Sequence, residues 1–190
     1  MSGASTQVSR WLDALLIMLL VIALGLTLQR MTTDKAGGRF YQEGDAIPAL
    51  SYANDSGEVY RLSDIDGRWA LIVFSACTSC FAEIPFWSRL QTILTNTGNR
   101  DSKVIGLFLE PIPTLNAFRS RTAIGFQVLL DPTGKAASDL RIKATSTVFL
   151  VDNGYIMGMY INPSLKTRTR AEVLDFFSVT EQQLRDVARR

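Results

Sequence analysis

Three observations predict an α/β sandwich with a mixed central sheet flanked by helices. The uninterrupted apolar run Trp-Ala-Leu-Ile-Val-Phe at 69–74 has the length and continuity of a strand buried on both faces. From residue 45 onward, strand-like and helix-like stretches alternate as βαβαβ before a closing hairpin and helix. Asp152-Asn153-Gly154, set between two apolar stretches, is a strong signal for a tight turn joining antiparallel strands.

The elements follow in order. Residues 49–52 and 58–62 read as short strands around the turn signal Asn54-Asp55-Ser56-Gly57, and 63–67 as a turn. After the strand at 69–74, a helix begins near Cys77 and runs toward Thr95, with Pro85 expected to kink it. Residues 104–109 form a second buried strand, and 113–122 are helical in composition. A short strand at 126–130 and a short helix at 135–140 come next. The hairpin strands are 147–151 and 155–161, and helices at 171–177 and 181–188 close the chain. Repeats and low-complexity tracts are absent from the sequence.

Ahead of this domain, residues 14–29 carry no charge and are nearly all aliphatic. A spanning helix wants about 20 apolar residues and a secretory core about 7–15, so this segment falls between the two. Trp11 and Leu12 extend it, and its apolar residues run all the way round, where a soluble surface helix would keep a polar stripe. The expectation is an uncleaved signal anchor or transmembrane helix within residues 1–30, contacting the bilayer through 11–29. A cleaved signal with Ala23-Leu24-Gly25 as the small-residue site is the alternative, and a buried soluble helix the third reading. Residues 31–44, polar and carrying Gly37-Gly38, read as a linker, and 45–190 as the folded domain. Arg30, Lys35 and Arg39 follow the span closely while Arg10 precedes it, so basic residues alone would place the C-terminal domain in the cytoplasm.

Composition removes several chemistries. The 190 residues include 20 Lys and Arg against 18 Asp and Glu, a net charge of +2 that gives no reason to expect nucleic acid as a partner. Histidine is absent, which excludes Ser-His-Asp and Cys-His catalysis, histidine bases and histidine-ligated metals. Two cysteines cannot build a four-cysteine zinc or iron–sulfur site within one chain. No metal and no cofactor is expected beyond what those cysteines supply.

The two cysteines stand as Cys77-Thr78-Ser79-Cys80, directly after the buried strand and at the start of a helix. At positions i and i+3 the two sulfurs face each other and can bond with little rearrangement. The first sits where free N–H groups and the helix dipole stabilise a thiolate, and the second lies one turn inside. This pattern fits a redox-active pair in which Cys77 is the nucleophile and Cys80 resolves the mixed disulfide. Two buried structural thiols are the plainer alternative.

The segment from Leu71 to Pro85, Leu-Ile-Val-Phe-Ser-Ala-Cys-Thr-Ser-Cys-Phe-Ala-Glu-Ile-Pro, resembles the active-site segment of membrane-anchored thioredoxin-like proteins of the TlpA/ResA type, within the redoxin and AhpC/TSA superfamily. Residues 44–48 resemble that group's opening segment, 54–66 its following hairpin, and 147–154 its strand-and-turn before the closing helices. The resemblance covers roughly residues 44–177. It implies a thioredoxin-like fold and a thiol–disulfide oxidoreductase whose only redox group is the Cys77–Cys80 pair. It further implies that Glu83 handles the proton of Cys80, where the alternative is an exposed helix carboxylate, and that Ala76, Thr78, Ser79, Thr145 and Ser146 border a substrate groove. By the same resemblance, the domain belongs on the outer face of a bacterial plasma membrane, single-pass, taking electrons from a membrane thiol carrier and passing them to exported or membrane proteins. The placement implied by the resemblance is the opposite of the one the basic residues alone would give.

Two departures stand out. The group usually places Trp before the first cysteine, where this chain has Ala76, and a cis-proline at the position of Ser146. A cis bond before a non-proline residue costs about 2.5–4 kcal/mol, so Thr145–Ser146 is expected to be trans or its loop to differ. Phe81, Phe86 and Trp87 read as core or groove wall. Arg119 and Arg121 read as solvated helix charges, and Arg168, Arg170, Arg185, Arg189 and Arg190 as a solvated basic tail, with contact to anionic lipid as the alternative. Two other functions compete. A peroxidase of the peroxiredoxin kind usually carries Thr three residues before its reactive cysteine, where this chain has Phe74, with Ser75 at the wrong offset. A redoxin-fold binding module with a non-catalytic disulfide is the other.

Overall fold

The computed structural model describes Met18 and residues 41–189 apart from 100, 132, 143 and 162–166. The apolar run at 69–74 becomes strand β3 (Arg68–Phe74), buried at every position after Arg68. Its side chains alternate between two apolar clusters: Ala70, Ile72 and Phe74 enter one, Trp69, Leu71 and Val73 the other. Cover on both faces is what allows a continuous apolar strand. Around it stand β1 (Ser51–Asn54), β2 (Val59–Arg61), β4 (Ser102–Phe108), β5 (Gln127–Leu130), β6 (Thr147–Asp152) and β7 (Tyr155–Ile161), in the order β2-β1-β5-β4-β3-β6-β7. Strands β3, β4 and β5 are parallel; β6 and β7 on one side, and β1 and β2 on the other, are added antiparallel. The sheet is mixed, as expected.

Helices α1 (Thr78–Asn96), α2 (Ile112–Arg119), α4 (Thr167–Phe176) and α5 (Glu181–Ala188) supply residues to the first cluster, including Trp87, Phe118, Val173 and Leu184. The second cluster gathers Ile47, Leu62 and Ile65 with Ala136 of the short α3 (Lys135–Asp139) and the adjoining Leu140. The β6–β7 turn is the Asn153-Gly154 pair, with φ of 46° and 83°, the left-handed backbone such a turn requires.

Some boundaries differ from the sequence reading for identifiable reasons. Strand β1 extends through Asn54 because Ala53 and Asn54 pair with Leu130 and Leu129 of β5. The Asn54 side chain still does the work of a turn residue, its Oδ1 accepting from the N–H groups of Ser56 and Glu58 at 3.0 and 2.9 Å. Strand β2 ends before Leu62, which is fully buried and opens a 3-10 turn, Leu62–Asp64. Helix α1 is continuous through Pro85. Helix α4 starts at Thr167, four residues ahead of expectation, in a polar turn without apolar periodicity.

Several of the arginines read as solvated charges make specific contacts. Arg119 bonds Asp55 across to the β1–β2 turn, Nη1 to Oδ2 at 2.5 Å, and holds that carboxyl below its ordinary range. Arg121 lies over the ring of Phe81 at 4.5 Å. Arg170 forks onto Glu181 through Nε and Nη2 at 2.5 and 2.7 Å and also lies over Phe86. Arg168 pairs with Glu172 one turn on, and Arg185 donates to Gln182. The segment expected to cross a bilayer, 14–29, lies outside the described residues apart from Met18. Among the described residues no helix is long and apolar enough to cross a membrane.

Candidate functional site

Strand β3 delivers the chain at its C-terminal edge, through Ser75 and Ala76, to Cys77. Cys77 has extended backbone (φ −95°, ψ 156°) and caps α1: its carbonyl accepts from Phe81 N–H at 3.1 Å and its Sγ from Cys80 N–H at 3.3 Å. A sulfur in the cap position takes one of the N–H groups that the first turn leaves without a helical partner. Cys77 and Cys80 are joined as a disulfide, with Cα atoms 5.2 Å apart. The two sulfurs differ in access. Cys77 is partly exposed, whereas Cys80 is 1% exposed and belongs to the first apolar cluster. An N–H donor and the positive end of a helix, as found here, are features that favour a thiolate at a helix start. The hydroxyl of Ser79 lies 3.2 Å from Cys77 Sγ. Thr78, Ser79 and Ala76 are exposed around it.

Glu83, one turn beyond Cys80 on the same buried side of α1, is 7% exposed. Its Oε2 accepts from Ser146 Oγ at 2.5 Å. Burial pushes the carboxyl above its ordinary value, and the Ser146 hydroxyl draws it partly back. Ser146 itself is 1% exposed, while the neighbouring Thr145 is exposed. Ser146 has φ of 66° and its N–H donates to Val73 C=O at 2.9 Å. No cis peptide occurs among the described residues, so Thr145–Ser146 is trans. The structure therefore brings Cys77, Cys80, Glu83 and Ser146 to one edge of the sheet. Ser146 faces inward beneath that edge rather than outward.

Glu110 was not singled out from the sequence. Its Oε1 accepts from the N–H of Ala76 at 2.8 Å, next to Cys77. The signal lay in the parallel register: Phe74 pairs with Phe108, so two residues beyond each strand end Ala76 meets Glu110. Phe81, just past Cys80, stacks on Phe118 of α2 at 4.1 Å and has Arg121 over its ring. Among the described residues no three or more Cys, Asp or Glu side chains are grouped as metal ligands would be.

The model of the AhpC/TSA family matches residues 44–158, more than half of the sequence. The chain belongs to the AhpC/TSA family. A curated relative of this family member is the thioredoxin-like protein YneN of Bacillus subtilis (strain 168), 27% identical over 166 residues that span 84% of this chain and 94% of YneN. Among solved structures, a candidate thiol:disulfide interchange protein DsbE from Chlorobium tepidum superposes with a TM-score of 0.63 at 21% identity, over 71% of this chain and 97% of that one. A candidate protein disulfide isomerase from Bacteroides thetaiotaomicron gives 0.61 at 22% identity, over 72% and 88%. The fold of this AhpC/TSA-family chain is thus thioredoxin-like. Three residues before Cys77 stands the buried ring of Phe74.

Proposed function

We propose that this AhpC/TSA-family chain is a membrane-tethered thiol–disulfide oxidoreductase that exchanges electrons with the thiols and disulfides of exported or membrane proteins. The observation that carries the reading is the Cys77–Cys80 disulfide at the first turn of α1, with one sulfur within reach of solvent and the other buried. In the reducing direction, the Cys77 thiolate attacks one sulfur of a partner disulfide, forms a mixed disulfide and expels the other sulfur as a thiolate. Cys80 then passes its proton to the Glu83 carboxylate, and the resulting thiolate attacks Cys77 Sγ. The bond between Cys77 and the partner breaks, the partner leaves as a second thiolate, and the Cys77–Cys80 disulfide re-forms. Two electrons have moved from the chain to the partner, and the partner's thiolates take protons from water. Residues 11–29 serve as the bilayer anchor, with the domain on the outer face of the plasma membrane and a membrane thiol carrier restoring the dithiol. Tethering raises the effective concentration of the domain near membrane partners.

The test is the reduction potential of the pair by glutathione equilibration and thiol trapping, with the alkylation pKa of Cys77 from the same samples. A value between about −270 and −120 mV with a depressed Cys77 pKa is expected, its place in that range giving reductant or oxidant. A pair that stays oxidised to below about −300 mV, with an ordinary thiol once reduced, overturns the reading and leaves a structural disulfide in a binding domain.

A further inference from the structure

We infer that Ser146 is a positioning residue for the resolving half of the exchange, its hydroxyl holding the Glu83 carboxylate in the orientation and charge state that accept the proton of Cys80. The inference rests on the oxidoreductase reading and on the role given there to Glu83.

Glu83 lies 7% exposed, where an ionised carboxylate is costly unless a donor reaches it. Among the described residues, the influences on its carboxyl are burial and the Ser146 hydroxyl. The two cysteines are the titratable groups nearest to it at the start of its own helix. Among the described residues, the Ser146 hydroxyl is the donor on this carboxylate, and such a bond favours its basic form. That hydroxyl has little freedom to do anything else. The residue is 1% exposed, its N–H is bonded to Val73 C=O, and the next residue, Thr147, is already paired in β6 and bonded through its own hydroxyl to Ala144 C=O. The left-handed backbone at Ser146 (φ 66°) is an uncommon conformation for a side chain to adopt. Here it directs Oγ at Glu83 Oε2 across 63 positions of sequence.

The step balances without further reagents. Cys80 S–H gives its proton to Glu83, the Cys80 thiolate displaces the partner sulfur from Cys77, and the Glu83 proton passes to water when the disulfide is complete. With the Ser146 hydroxyl gone, Glu83 holds its proton to higher pH and accepts the Cys80 proton less readily at neutrality.

The experiment uses the full chain in mild detergent, reduced, and mixed with an aromatic disulfide that releases a coloured thiolate. The first release reports attack by Cys77 and the second reports resolution by Cys80; the second is followed as a function of pH. Ser146→Gly is the principal variant, because glycine adopts the left-handed backbone without penalty. Its resolution profile is expected to move up by about one pH unit, about tenfold slower below the inflection, a shift read in the second phase relative to the first in the same traces. In a Glu83→Gln background the inflection is lost, and adding Ser146→Gly moves nothing further. Carboxyl carbon NMR of the reduced chain is expected to show the Glu83 titration displaced upward in Ser146→Gly. A uniformly slower second phase with its inflection and the Glu83 titration in place would reduce Ser146 to a structural role and overturn the inference. An unaltered profile in Glu83→Gln would overturn the role of Glu83 and the inference with it. Absence of a second release in the parent chain would overturn the oxidoreductase reading itself.

Discussion

Ser146 joins three parts of the site: the end of β3 through its N–H, α1 through its hydroxyl, and β6 by leading directly into it. A proline cannot serve there. Its ring fixes φ near −65° against the observed 66°, and it has no N–H for Val73 C=O. Ser146→Pro is expected to destabilise the oxidised chain more than Ser146→Gly does, read from urea midpoints, because the glycine keeps the left-handed backbone and the N–H bond and loses only the hydroxyl. A proline variant as stable as the parent would mean that this loop has a second conformation of equal energy. At this scale the cysteines were legible because their spacing and their place after an apolar strand are local facts. Glu83 was legible through helical spacing. Its burial and its serine partner were not, since that contact joins residues 63 apart, and the Ala76–Glu110 contact likewise spans 34.

Among the elements, β4 shows how closely the sheet and helices are fitted beneath the site. A Cβ at Gly106 would lie 2.7 Å from Phe74 Cε1 and 2.8 Å from Phe126 Cε2, below any ordinary contact distance. Phe74 is the last residue of β3 before the disulfide loop and packs on Phe108 and Phe118. Gly106→Ala is expected to cost about 1–3 kcal/mol through displacement of these rings, measurable as a lower denaturation midpoint. No change would mean that the rings shift freely. The long central strands and α1 were readable because their patterns are strong and continuous. The edges were not. Asn54 looks like a turn residue and is drawn into β1 by pairing with β5, and the polar start of α4 has no periodicity to mark it.

Taken as a whole, the molecule carries the cost of a buried carboxyl in its folding equilibrium. Glu83 is displaced upward from 4.5 by burial, so the folded state holds its proton more tightly than the unfolded chain does. That contribution is fully present below about pH 4.5 and is lost as pH rises through the displaced value. Glu83→Gln removes it, so the variant is expected to gain on the parent over that window, in urea titrations run with the disulfide intact. Parallel curves for the two proteins would mean that Glu83 titrates alike in both states. The mixed sheet itself was legible from the alternation and the hairpin. The placing of β1 and β2 beside β5 was not, because nothing local in either segment names its neighbour.

The start of the described domain has a mechanical consequence. Gly44 and Ile47 donate to the carbonyls of Ile156 and Gly154, and Asp45 accepts from Ile156 N–H, so this stretch is stitched to β7 beside the β6–β7 turn. That turn lies at the Arg68 end of β3, since Asp152 pairs with Arg68, whereas Cys77 follows the Phe74 end. Tension drawn through the chain ahead of Gly44 would therefore be borne at the pole of the sheet away from the sulfurs.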